Sequence, residues 1–252
     1  MFKGESVRRR YFFVGRGLLA CALTAIFALS GAHSTVASTP KVLEGIDVSH
    51  HNDPIDWANV KAAGLRFVFA KATESSDFVD PSYAQNKQQV EALGMIFGAY
   101  HFAQPDTTAG DAVAEADHFV GTATLTGKDL VPVLDLEVSG GLGQRKLIAW
   151  AKAWLAEVHA RLGVKATIYT TSSFWSHNLG NTTWFAKNGY RLWIAHWTDA
   201  AKPTVPTGNW AGKGWTFWQY DNCGSVDGIN GCVDRDRFDG TGLAALKIKN
   251  NR

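Results

Sequence analysis

Along most of the chain, short β-branched or aromatic runs alternate with longer runs whose apolar residues recur at helical spacing. That alternation is the pattern of strands and helices wound into a parallel sheet. A first strand is expected over Glu44–Ser49, and Asp53 or Asp56 caps a helix that runs through Ala63 and stops at Gly64. Further strands are expected at Arg66–Thr73, Met95–Phe102, Asp129–Glu137 and Ala166–Thr171. Between them lie helices over residues 81–93, from Thr107 or Thr108 to about Val120, and from Gln144 to Leu162. In the last of these Trp150, Trp154, Leu155 and Val158 form one stripe, which reads as core packed against the sheet. Beyond Ser172 the helical segments shorten and tryptophans crowd in, with strands still expected over 191–197, 214–220 and 233–238. Eight strands with helices between the first five describe one irregular (β/α) barrel over residues 41–252.

The N-terminus breaks this rhythm. Lys3, Arg8, Arg9, Arg10 and Arg16 precede an apolar stretch from Gly17 to Leu29, followed by small residues through Ala32 and Ala37. Residues 1–37 are expected to be a cleaved signal peptide, since an apolar run of about 13 residues falls short of the roughly 20 that cross a bilayer. Arg9, Arg10, Tyr11, Phe12 and Phe13 also fit a twin-arginine signal, so both Sec and twin-arginine export are open. Leu18, Leu19, Ala20 and Cys21 faintly resemble a lipoprotein box, but the apolar run continues past Cys21. The expected product is a secreted monomer, extracellular or periplasmic, with no stable membrane association.

Setting this segment aside changes the charge. The whole chain is +2, whereas the remainder holds 20 Lys and Arg against 22 Asp and Glu, so no nucleic-acid or anionic-membrane partner is expected. At 46% hydrophobic and 19% charged, the chain also falls outside the disordered and coiled-coil classes. Of the three cysteines, Cys21 leaves with the signal. Cys223 and Cys232 remain, nine positions apart across a loop with three glycines, and in an oxidising compartment a disulfide is the natural pairing. Its closure would contribute up to about 3 kcal/mol. No His or further Cys lies near them at ligand spacing, so no metal is expected there.

Residues i and i+2 of a strand share a face, and barrels carry their chemistry at the C-terminal ends of the strands. Asp135 and Glu137 therefore share one face at the end of the fourth strand, while Leu134 and Leu136 point the other way. Asp47 lies near the end of the first strand, Glu74 just after the second, and Asp234 and Asp236 on the last. Carboxylates converging from several strands repel one another and raise at least one pKa. That is costly in a structural site but useful in glycoside hydrolysis, where one carboxyl keeps its proton beside another that is ionised. Aromatics complete the picture: Tyr100, Tyr169, Trp193, Trp218 and Tyr220 fall at or near strand ends and match the apolar faces and polar edges of sugar rings.

With these residues in view, the chain resembles glycoside hydrolase family 25, the Chalaropsis-type lysozymes, over essentially all of Gly45–Gly240. The pieces that carry the likeness are GIDVSHHN at 45–52, FVFAKATE at 67–74, GAYHFA at 98–103, PVLDLE at 132–137, IYT at 168–170, LWIAHW at 192–197, FWQY at 217–220 and VDRDRF at 233–238. The resemblance implies a (β/α)5β3 barrel of the TIM-like α/β class that cuts the β-1,4 bond between N-acetylmuramic acid and N-acetylglucosamine in peptidoglycan, with no cofactor. It implies Glu137 as the general acid, with Asp135 beside it either as nucleophile or orienting the substrate's N-acetyl group, and Asp47 and Asp234 in support. Tyr100, Tyr169, Trp193 and Trp218 would line sugar subsites, with Glu74, His101 and Gln219 nearby. Two positions depart from the family pattern: Ser75 stands where Gly is common, and Asp236 where Asn is usual, which opens the pH optimum to change.

Stereochemistry does not follow from spacing, because two residues along a strand advance roughly 6.6 Å and rotamers span the difference between retaining and inverting separations. The resemblance implies retention with substrate assistance. A chitinase-like barrel is a rival, but Val131 and Val133 occupy positions where its longer acidic run needs carboxylates. A barrel that binds wall glycan without cutting it is a second. A metal reading of His50, His51 and His101 is disfavoured because adjacent residues of a strand face opposite ways.

Overall fold

The computed structural model describes residues 42–249. The expected signal peptide at 1–37 lies outside the described residues. Seven strands run parallel in the order β1 (Leu43–Val48), β2 (Phe67–Glu74), β4 (Ile96–Phe102), β5 (Val133–Asp135), β6 (Thr167–Thr171), β7 (Arg191–Ala195) and β8 (Phe217–Gly224). The antiparallel β9 (Val233–Phe238) pairs with both β8 and β1 and closes an eight-stranded barrel. A two-residue strand, β3 (Phe78–Val79), lies antiparallel on the end of β2 as a flap.

Helices follow the first five barrel strands: α1 (Trp57–Ala62), α2 (Tyr83–Ala92), α3 (Asp111–Ala123), α4 (Gln144–Leu162) and α5 (Ser172–Asn178). The short α6 (Trp184–Lys187) and α7 (Pro206–Ala211) complete the set, the latter with positive φ at Thr207–Trp210. This is the (β/α)5β3 order expected from the resemblance.

Local chemistry explains most boundaries. Asp56, not Asp53, caps α1, its carboxylate accepting the N–H groups of Ala58 and Asn59. The expected start of α3 at Thr107 or Thr108 moves to Asp111, because Asp106 holds the Thr108 N–H and hydroxyl in a turn of its own. The expected fourth strand shrinks to three residues: Pro132 has no N–H to give, and Val131 N–H turns to Leu246 instead. β8 runs to Gly224, past the expected Tyr220, because its far end pairs with β9 and is stapled there by the Cys223–Cys232 disulfide.

Alternation along the strands builds two apolar layers. Inside the barrel Phe67, Phe69, Val133, Phe217 and Phe238 pack on one another, and Phe69 stacks on Trp193 with ring centroids 4.6 Å apart. Gly45 and Gly98 make room for this filling, since a Cβ on either would come within 2.5 Å of the Phe67 or Phe69 ring. Outside, Ile46, Val68, Leu134, Ile168 and Ile194 meet the helices. The α4 stripe of Trp150, Trp154, Leu155 and Val158 is buried there as expected. With the barrel interior filled, the C-terminal ends of the strands are where a barrel of this kind carries its site.

Candidate active site

Those ends surround a cleft of about 430 Å³. Asp47 enters it from β1, Asp135 and Glu137 from the end of β5, and Asp234 from β9. Tyr100, Tyr169, Trp193 and Gln219 reach it from β4, β6, β7 and β8. Ser49, His51, Lys71, Phe102, Trp197 and Asn222 also line it, residues that sequence reasoning had not placed there.

Gln219 ties the wall together. Its Nε2 donates to Asp47 Oδ2 at 2.7 Å, while its Oε1 accepts from the Tyr169 hydroxyl and from Trp197 Nε1, each at 3.0 Å. Trp193 donates its indole N–H to Asp236 Oδ1 at 2.9 Å. Asp236 is fully buried on the inner face, and its other oxygen has no donor among the described residues. Asp234 and Asp236 crowd Asp47. Carboxyl groups so crowded and buried resist ionising together.

The electrostatics follow from this crowding. Burial raises Asp47 well above the usual carboxylate range, and Asp236 and Asp234 raise it further. Burial and Asp234 do the same to Asp236. Asp234 is raised to about 6 by burial, with Glu137 and Asp221 adding to it. Burial raises Asp135 and then Glu137 raises it again, whereas the Lys71 ammonium opposes that rise. Burial also raises Glu137, and Lys71 again opposes. Tyr100 and Tyr169 are held as neutral phenols, by burial first and the nearby carboxylates second. The cleft therefore crowds carboxyls that hold their protons to higher pH than exposed ones do, beside aromatic faces and hydroxyl donors.

Three expected site residues, His101, Trp218 and Glu74, lie outside the cleft lining. His101 faces out of the barrel, because Tyr100 and Phe102 on either side take the inner face. Its Nε2 lies 2.6 Å from Glu115 of α3, its Nδ1 lies 2.8 Å from Thr73 Oγ1, and its ring stacks on Trp154. Trp218 likewise points outward between the inward Phe217 and Gln219, and donates its N–H to the His196 carbonyl at 2.8 Å. Glu74 stands behind Lys71, to which it is ion-paired, instead of lining the cleft. His50 and His51 occupy a 3-10 turn, not a strand, and His50 Nδ1 lies 2.7 Å from Asp80. No cluster among the described residues has three metal-ligating side chains. Ser75 has φ 53°, in the left-handed region that favours the Gly expected there.

The family model described as "Glycosyl hydrolases family 25" matches residues 46–229. Lysozyme M1 of Streptomyces globisporus is 38% identical over 218 residues, covering 83% of this chain and 72% of the relative. The N,O-diacetylmuramidase of Chalaropsis sp is 36% identical over 208 residues, covering 76% and 96%. Among solved structures, a bacterial lysozyme from Streptomyces coelicolor aligns with a TM-score of 0.75 at 36% identity, covering 81% of this chain and 96% of that one.

Proposed function

Because the chain belongs to glycosyl hydrolases family 25, we propose that Glu137 and Asp135 are the pair with which it hydrolyses the β-1,4 bond between N-acetylmuramic acid and N-acetylglucosamine in peptidoglycan. That it is a peptidoglycan-hydrolysing lysozyme accords with its lysozyme and muramidase relatives. The observation that carries the residue assignment is the alternation at the end of β5. It sets two carboxyls on one face of a cleft, one with a buried oxygen that meets no donor among the described residues.

In this reading Glu137 is held protonated by burial and gives its proton to the glycosidic oxygen as the bond from the anomeric carbon breaks. Asp135, with Lys71 nearby, accepts the N–H of the muramic acid N-acetyl group with its unpartnered oxygen. That contact turns the acetyl carbonyl oxygen onto the anomeric carbon, where it forms a cyclic oxazolinium. Water, deprotonated by Glu137, then opens the ring and restores the original anomeric configuration. Asp47 and Asp234 hold the protons that let three acids share the opposite wall, and the Gln219 bonds fix Asp47 in place. Tyr100, Tyr169 and Trp193 offer the sugars apolar faces and donors.

We place the enzyme outside the cell as a monomer. The basic and apolar pattern of residues 1–37 supports export, and one chain supplies every wall of the cleft. No helix among the described residues is long and apolar enough to cross a membrane.

Digestion of purified peptidoglycan followed by reduction tests the bond assignment: muramic acid at the new reducing ends is expected, and N-acetylglucosamine there overturns it. NMR of the freshly released anomer tests retention. A β product is expected, and an α product rules the assisted route out.

A further inference from the structure

Four carboxylates line the cleft, and Lys71 is the one Lys or Arg that lines it with them. Its side chain is almost wholly buried, and its placement is not that of an ordinary strand residue. Between Lys71 and Thr73 the pairing of β2 with β4 slips, so that two steps on β2 meet one step from Tyr100 to His101. Such a bulge re-aims the side chains after it. Thr73 thereby turns outward to His101, and Glu74 falls on the same side as Lys71, where the two pair.

The ammonium is then boxed in. The rings of Phe102 and Phe78 lie 4.9 and 5.4 Å from Lys71 Nζ. Glu74 is held in turn by Gln104 Nε2, which donates to its Oε1 at 2.8 Å. The Gln104 backbone N–H donates to Glu115 Oε2 at 3.2 Å, and that same oxygen meets His101 Nε2. A continuous set of contacts therefore runs from the buried His101–Glu115 pair, outside the barrel, to the cation inside it.

We propose that Lys71 is a positioning residue for the catalytic pair, a caged ammonium set by the β2 bulge, Glu74 and Gln104, which supplies the fixed positive charge that sets the pH range over which Asp135 and Glu137 work. The charged and titratable groups around it are Glu74 on its own strand, Tyr100 and His101 from β4, Asp135 and Glu137 from β5, Tyr169 from β6, Asp47 from β1, Asp234 from β9, and His50 and His51 from the turn after β1. Only Lys71 among them is a permanent cation. Lys71 opposes the upward shift of both β5 carboxyls, as this geometry requires. Without it the mouth would hold four acids and no fixed positive charge, and both β5 carboxyls would hold their protons to higher pH.

The proposal rests on Glu137 and Asp135 as the catalytic pair, and the two ideas fail separately. The experiment is the pH profile of kcat/KM on purified peptidoglycan for Lys71→Met, Lys71→Arg and Gln104→Leu. Lys71→Met is expected to lose about 100-fold at its optimum, with both limbs moved to higher pH by about one unit. Lys71→Arg keeps the charge and is expected to leave both limbs in place. Gln104→Leu loosens Glu74 and moves the limbs the same way by less. Lys71→Met/Glu74→Gln also removes the carboxylate that Lys71 pairs with, and carries the measurement should the single variant not fold. Limbs that stay put in the folded Lys71→Met or double variant overturn the proposal, as does a shift in Lys71→Arg. If instead Glu137→Gln cuts normally, the reading of the pair falls, whatever Lys71 does.

Discussion

Two sets of carboxyl groups lie on opposite sides of the barrel wall, and the chain treats them in opposite ways. Outside, Glu115 is fully buried against one histidine, and burial pushes Glu115 up to about 8 and His101 down to about 3. That pair is closed: Thr73 and the Gln104 N–H satisfy its outer ends, Trp154 covers the ring, and it carries no net charge. Inside, Asp47, Asp135, Asp234 and Asp236 have one another for neighbours, and oxygens of Asp135 and Asp236 meet no donor among the described residues. A satisfied network stabilises a fold, whereas a crowded and incompletely satisfied one keeps reactive protonation states available. The difference assigns structure to one side of the wall and chemistry to the other.

The sharpest way to break that contrast is to disable one side at a time. Glu137→Gln keeps shape and removes the proton donor, so kcat on peptidoglycan is expected to fall by about 10³-fold with the melting temperature unchanged. Turbidity clearing and differential scanning calorimetry together check it, and clearing at the parental rate would strip Glu137 of its role. Glu115→Ala should show the reverse weighting. Leaving His101 buried without its partner is expected to cost about 3 kcal/mol of stability in urea unfolding, while folded enzyme keeps more activity than Glu137→Gln does.

Asp236 sharpens the comparison through pH. Its folded pKa is raised well above the value of an exposed Asp, so the folded state keeps a proton that the unfolded chain gives up. Its contribution to stability is therefore fully present below the ordinary carboxylate range and is lost as pH rises toward the folded value. Asp236→Asn can still accept from Trp193, and it does not titrate. Thermal melts at pH 4 are expected to coincide with the parent, and at pH 8 the variant should melt higher by about 2–4 °C. Equal melts at both pH values would mean that Asp236 is ionised in the folded protein at pH 8 at no cost.

Much of this was legible in the sequence because a strand's period of two is rigid. The alternation that puts Asp135 and Glu137 together also puts Leu134 and Leu136 against the helices. The same rule excludes His101 beside Tyr100, and Trp218 beside Gln219, from the cleft, and the family likeness misled where it was allowed to override alternation. Lys71 and Glu74 were not legible as a pair. At ordinary spacing residues three apart on a strand face opposite ways, and nothing in the letters announces the bulge. Likewise β3 is too short to show a period, and α5 to α7 are too short for an apolar stripe to identify them. Trp197 continues the inward alternation of Trp193 and Ala195 just past the end of β7, whereas Asn222 reaches the cleft where the register of β8 against β9 shifts.

Trp197 provides the smallest and most discriminating test, because it touches the reactive side of the wall without belonging to the acid cluster. It is 52% exposed, and its indole N–H donates to a Gln219 oxygen that the Tyr169 hydroxyl also satisfies. Trp197→Phe keeps an aromatic face at the rim and removes that donor, a neutral hydrogen bond of about 1 kcal/mol or less with a second donor in place. KM on peptidoglycan is therefore expected to rise about threefold, with kcat and both limbs of the pH profile unchanged. A fall in kcat or a moved limb would mean that Gln219 transmits the rim contact to Asp47 through its 2.7 Å bond, and that the acid wall depends on its aromatic edge for its protonation state.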